Sequence, residues 1–213
     1  MIDSQIASDE TTEVAALPMI ADRAVKVLPM GDSITQGQGS CSYRTPLIQL
    51  LQNNSVEFLG KLGVDSTHSQ DCSDTNFEHE GRAGSRTLEW LETDGNGQSR
   101  TFGLANVWRP DIVLLHIGSN DINRGEKAGV FDQSTGVGTE TIGRIDEMLD
   151  HVFAGSPATT IYVADLIPWP ADPLVDANID LLRVEIHKMV THRAASGEKV
   201  TLVSVYDLSL IHI

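Results

Sequence analysis

Three short stretches carry residue types that could perform acyl transfer. The first is PMGDSITQGQGS, in which Ser33 follows Gly31 and Asp32. Gly31 permits a sharp turn, and a serine placed there offers a hydroxyl to attack a carbonyl and its own N–H to hold the resulting oxyanion. The same serine would also serve as a helix N-cap. The stretch is not a GxSxG elbow, because Thr35 stands where the second glycine belongs. The second stretch is HIGSNDIN, where Asn120, next to Asp121, supplies the neutral amide donor that a tetrahedral oxyanion needs. Alone, GSND is also an ordinary turn. The third, FEHEGRAGSRTLEW, puts Gly84 just before an expected helix, where a backbone N–H can approach a ligand at the positive end of a helix dipole. An unremarkable loop glycine would read the same way.

A serine is a weak nucleophile unless a general base takes its proton, so the seven histidines matter. His116 lies inside an apolar run, and His151, His187 and His192 fall on expected helices, where surface or core roles are the plainer reading. His68 and His79 lie in a long loop and stay open as candidates. The chain ends VSVYDLSLIHI, which places Asp207 and His212 near each other at the end of the written sequence.

Metal chemistry is a weaker fit. His68, Asp71, Cys72, Asp74, Glu78, His79 and Glu80 cluster, but at spacings of no standard ligand pattern. In ETDGNGQSRTFG, Asp94, Asn96 and Gly97 have calcium-loop offsets, yet Glu92 replaces the first Asp and Gly103 the bidentate Glu, so the stretch reads as a turn. No metal is expected. Cys41 and Cys72 are compatible with one disulfide or with two free thiols.

These residues have to be positioned by regular elements. Strands are expected at 24–29, 56–60, 111–118, 159–167 and 200–206, whose nearly continuous, β-branched apolar runs suit strands covered on both faces. Helices are expected at 44–52, 87–92, 139–153 and 177–195. In the last, Ile179, Leu182, Ile186 and Val190 recur at three- and four-residue steps and line one face, with Gly197 as a stop. Alternation of strand and helix predicts a parallel sheet, and in open sheets function gathers in the loops at the carboxyl ends of the strands. Ser33 and Asn120 follow strands directly.

The chain's 213 residues suit one domain able to bury a sizeable core, and 40% hydrophobic with 21% charged residues is ordinary for a globular protein. A net charge of -15 opposes binding to a phosphate backbone, so nucleic acid is a poor partner. Apolar runs such as IVLLHIG are too short to cross a bilayer, and MIDSQIASDETTEVAALP lacks the basic start and apolar core of a signal peptide. Residues 1–22 read as an acidic tail and 23–207 as the domain. Nothing in the sequence bears on oligomeric state.

GDSIT, the AG of GRAGSRTLEW, and GSND resemble, in order and strand-end placement, the first three conserved blocks of the SGNH (GDSL) hydrolases. Within that superfamily, VLPMGDSITQGQG, YRTPLIQLL, VEFLG, HEGRAG and RPDIVLLHIGSND are most similar to the acetylxylan-esterase-like carbohydrate esterases, a likeness covering about Val25 to Asp207. The resemblance implies Ser33 as nucleophile, with the N–H of Ser33, the N–H of Gly84 and the side chain of Asn120 as the oxyanion hole. It implies a three-layer α/β/α flavodoxin-like fold with a five-stranded parallel sheet in the order 2-1-3-4-5. The reaction it implies is deacylation of an acylated carbohydrate such as xylan through an acyl-serine, without metal or organic cofactor and without a membrane partner. A secreted full-length parent is implied as well. A lipid esterase or thioesterase, and a carbohydrate-binding relative without turnover, are the alternatives.

The sequence departs from that family at its end. The family takes base and acid from a DxxH segment followed by a helix, whereas His212 stands five positions after Asp207, and Asp207 resembles a different acid at the end of the fifth strand. The last helix is missing from the expected fold. LSLIHI is moreover what CTG TCT CTT ATA CAC ATC encodes, a transposon-end adapter used in library preparation, so 208–213 are read as a non-native tail. Asp207 and His212 are left out of the catalytic set, and weak turnover is expected of the chain as written.

Overall fold

The computed structural model describes residues 23–37, 43–51, 54–62 and 78–206. Cys41, Cys72, His68, both tail segments, Asp207 and His212 lie outside the described residues. In chain order the elements are β1 (Val25–Gly31), α1 (Ser33–Gln36), α2 (Arg44–Leu51), β2 (Val56–Phe58), β3 (Glu80–Gly81), α3 (Thr87–Leu91), α4 (Arg100–Trp108), β4 (Ile112–His116) and α5 (Ser119–Asn123). They continue with β5 (Phe131–Asp132), β6 (Val137–Gly138), α6 (Glu140–Gly155), β7 (Thr160–Ala164), α7 (Pro173–Ala195) and β8 (Val200–Val203).

The main sheet is parallel and runs β2-β1-β4-β7-β8, which among the long strands is the expected 2-1-3-4-5. A sixth, two-residue strand was not expected: β3 pairs with the last residues of β1, Met30 facing Glu80 and Gly31 facing Gly81. β2 and β3 therefore occupy the same edge of β1 one after the other. Pro29 falls between them. On this edge Val25 N–H binds Ser55 O (2.8 Å), Val27 O accepts from Leu59 (2.8 Å) and Gly31 O accepts from Arg82 (2.9 Å), so odd-numbered residues face it. The donor that proline lacks would point into the gap between the two partners, where no ladder bond is lost.

Right-handed crossovers decide which face each helix covers. The step from β1 to β2 runs opposite to the steps toward β4, β7 and β8, which puts α2 on one face and α4, α6 and α7 on the other. The second group seals its face: Leu28, Met30, Val113, Leu115, Ile161 and Val163 share one buried cluster with Leu104, Ile145, Leu149, Ile179, Leu182 and Ile186. The 3.6-residue spacing read in α7 is thus its core face. On the other face, β8 leaves Thr201 and Val203 exposed.

α7 begins four residues earlier than expected because Asp172 caps it through the N–H groups of Leu174 and Val175 and Pro173 fits the first turn. α4 was not expected at all. The calcium-like stretch preceding it is a turn, in which Asp94 accepts from Asn96 N–H (2.8 Å) and Gln98 N–H (3.0 Å), and Ser99 then caps α4 through Phe102 N–H. The hairpin of β5 and β6 was also missed. Among the described residues, no helix is long and apolar enough to cross a membrane.

Candidate active site

Ser33 stands half-buried at the carboxyl edge of the sheet, as the first residue of α1. Four features hold that short turn. Asp32 is buried and accepts from Ile34 N–H at 2.9 Å. Gly37 N–H binds Ser33 O at 2.8 Å. The buried Arg44 donates to the carbonyls of Thr35 (2.9 Å) and Gln36 (2.8 Å), closing the helix's far end. Gly31 passes so close to β4 that a Cβ would lie 2.1 Å from the His116 carbonyl oxygen, and its φ of +154° also favours glycine.

The Gly84 turn arrives from β3. Arg82 N–H binds Gly31 O at 2.9 Å, Ser85 N–H binds Arg82 O at 3.1 Å, and Ala83 N–H binds Gln36 Oε1 at 2.6 Å, so the turn is tied to both β1 and α1. Gly84 takes the left-handed φ of +74°, and Arg124 donates to its carbonyl at 3.1 Å. The N–H groups of Ser33 and Gly84 have no acceptor among the described residues.

Asn120 lies in α5, just past β4, the strand paired with β1 in the register Gly31 to His116. Its Nδ2 donates one N–H to Ser85 O at 3.1 Å, which fixes the carboxamide and leaves the second N–H available. The next residue, Asp121, is fully buried and accepts from the N–H and hydroxyl of Thr87 and from Arg144. Burial pushes the Asp121 carboxyl above its ordinary range, against the opposing pull of Thr87 and Arg144. The structure thus gathers the loops of Ser33, Gly84 and Asn120 into one hydrogen-bonded group, as the sequence suggested. Thr87, Gln36, Arg44 and Arg144 had been missed.

No described histidine hydrogen-bonds Ser33. His116 is buried with its Nδ1 3.9 Å from Asp32 Oδ1, and neither ring nitrogen has a hydrogen-bond partner among the described residues. His151 binds Ser99 Oγ (2.8 Å), His187 binds Asp165 (3.0 Å), and His192 packs edge-on to Phe131. His79, left open by the sequence, is buried and accepts from Gly81 N–H through Nδ1 at 2.9 Å. Burial, with Arg44 and Arg82 nearby, lowers its pKa to about 4, so its imidazole is neutral and a poor base at neutral pH.

His79 should mark the acid side of the stability curve. Its folded pKa lies below the ordinary value, so the unfolded chain takes up the proton first as pH falls. The resulting loss begins near pH 6.5, continues to about 4 and amounts to up to about 3 kcal/mol. His79→Asn keeps an acceptor for Gly81 and should flatten that part of the curve. Denaturant unfolding at several pH values would show it, and parallel curves for the two proteins would refute it.

The GDSL-like Lipase/Acylhydrolase family matches residues 30–212. The multidomain esterase of Ruminococcus flavefaciens is 25% identical over 157 residues, which are 68% of this chain but 19% of that protein. The chain therefore spans a small part of that relative's length. Among solved structures, the Clostridium thermocellum family 3 carbohydrate esterase superposes with a TM-score of 0.64 at 26% identity, over 87% of this chain and 80% of that one. A carbohydrate esterase family 3 protein from Talaromyces cellulolyticus, with a TM-score of 0.63 at 23% identity over 87% and 81% of the two chains, shares the fold. With most of its length matched and GDSIT, GRAG and GSND standing where the fold brings three loops together, the chain belongs to the GDSL-like lipase/acylhydrolase family of ester hydrolases.

Proposed function

We propose that the protein is a serine esterase that removes short acyl groups, acetyl above all, from a polysaccharide such as xylan. What carries this reading is the tying together of the three loops, by Ala83 N–H on Gln36 and by Asn120 Nδ2 on Ser85 O, which fits an oxyanion hole made of the Ser33 N–H, the Gly84 N–H and the Asn120 amide. Ser33 Oγ attacks the acyl carbon. The carbonyl oxygen becomes an oxyanion held by those donors, the sugar hydroxyl departs with a proton, and water then releases the acyl group and restores the serine. No step calls on a metal or cofactor. The carbohydrate substrate is supported by the names of the relatives, two of which are family 3 carbohydrate esterases.

Since no described histidine reaches Ser33, the chain as written is proposed to turn over slowly. Release of 4-nitrophenol from 4-nitrophenyl acetate, and of acetate from acetylated xylan, tests both points. The residual rate is expected to rest on the oxyanion hole, so Asn120→Ala should lower it about 100-fold while Ser33→Ala changes it little. Efficient turnover abolished by Ser33→Ala would instead place a working base outside the described residues. No acyl release above the buffer rate, with oligosaccharide binding retained, would favour a binding protein.

A further inference from the structure

We propose that Arg144, on α6, is a positioning residue for the oxyanion hole, setting the Gly84 turn and the Asn120 turn at a fixed distance from each other. This rests on the hydrolase reading above. The sheet alone does not fix that distance. Gly84 hangs from β3 and Asn120 follows β4, with β1 between them. Beside the bonds of Asn120 to Ser85 O and of Arg124 to Gly84 O, the buried bridge is Thr87, three residues after Gly84, against Asp121, the residue after Asn120: the Thr87 hydroxyl donates to Asp121 Oδ1 at 2.5 Å and its N–H approaches both carboxylate oxygens at 3.1 and 3.2 Å.

Arg144 closes this bridge from below. Its Nε donates to Thr87 Oγ1 at 2.7 Å, and one terminal nitrogen reaches Asp121 Oδ1 (3.2 Å), Thr141 Oγ1 (3.1 Å) and the Glu126 carboxylate. Glu126 is held in turn by Arg86, the residue before Thr87, at 3.0 Å. One planar fork thus spans both loops, which a lysine's single ammonium does not reproduce. The guanidinium hydrogen-bonds none of Ser33, Gly84 and Asn120, and its charge is met by Asp121 and Glu126. Its effect is one of placement, and oxyanion donors are useful only where they meet the developing charge, a misplacement near 1 Å costing on the order of 100-fold.

The test is a double-mutant cycle on hydrolysis of 4-nitrophenyl acetate with the whole chain. Arg144→Met should lower kcat about tenfold with KM changed less than about twofold. Asn120→Ala combined with Arg144→Met should be no more than about twofold slower than Asn120→Ala alone, because a hole without its amide has nothing left to misplace. Arg144→Lys should not rescue the rate. If Arg144→Met does not fold, as judged by circular dichroism, Thr87→Val removes the same bridge with little change of shape and should give the same pattern. An unchanged kcat, or losses that multiply across the pair, overturns the positioning role while leaving the esterase reading intact. An unchanged rate for Asn120→Ala alone overturns the oxyanion hole, and the role of Arg144 with it.

Discussion

Replacing Gly31 by alanine is expected to destabilise the domain by at least about 4 kcal/mol, a large part of the ~5 to 15 kcal/mol that holds a typical domain folded. Two costs combine. The φ of +154° is a region that side chains rarely adopt, worth about 1 to 3 kcal/mol. The new Cβ would also sit 2.1 Å from the His116 carbonyl oxygen and 2.6 Å from Thr35 Oγ1. The first of these is backbone in a central strand, so it cannot swing aside, and relief would require β1 and β4 to part beneath Ser33. Gly97→Ala separates the two costs. Its φ is +73° but nothing lies within 4 Å of the added atom, so strain alone should cost about 1 to 2 kcal/mol. Urea unfolding of both variants is the measurement. Equal midpoints would mean that the close approach to His116 has no energetic weight.

Asp165 should give the second large effect, with a distinctive pH signature. It follows β7, is fully buried, and accepts from Val205 N–H (2.7 Å), Tyr206 N–H (3.0 Å), Ser204 Oγ (3.1 Å) and His187 (3.0 Å). Arg183, one turn before His187, stacks over the Tyr206 ring at 4.0 Å. One carboxylate thereby ties the end of β8 to β7 and α7. Asp165→Ala leaves those donors without an acceptor and should cost about 3 kcal/mol, whereas Asp165→Asn keeps an oxygen for the two backbone N–H groups and should cost about 1 kcal/mol. Burial pushes the carboxyl up, but His187, the two N–H groups and Ser204 together hold it below the ordinary range. A depressed carboxylate stabilises above its unfolded pKa and loses that contribution as pH falls through the folded value. The advantage of wild type over Asp165→Asn should therefore persist at neutral pH and shrink below about pH 4. A difference that stays constant down to pH 2 would rule out the charged form as its source.

The long strands and the core face of α7 were legible because their signals are local: β-branched apolar runs, and Ile179, Leu182, Ile186 and Val190 at helical steps. α4 was not, since the glycine-rich turn before it and Gly103 inside it mimic a loop, and its helicity comes from the Ser99 cap and from packing on α6. The two-residue strands β3, β5 and β6 are too short to show alternation. Ser33 and Asn120 stood out as candidates because short motifs sit at strand ends, and Gly84 because it precedes a helix. Arg144 and Asp165 could not: their partners lie as far as 57 and 41 residues away in sequence, and nothing beside them announces a role.

The divided edge of β1 has a consequence for how the site can be rebuilt. Beyond β2, Leu62 and His79 exchange two backbone hydrogen bonds, 3.1 and 2.9 Å, and β3 then docks on β1 in a register of its own. The ends of the intervening stretch are thereby fastened to each other before the Gly84 turn begins. Doubling its length costs only about 0.6 kcal/mol in closure entropy. Segments of other length and composition can therefore be exchanged between Leu62 and His79 while the pairing of β3 with β1 keeps the Gly84 turn in its register.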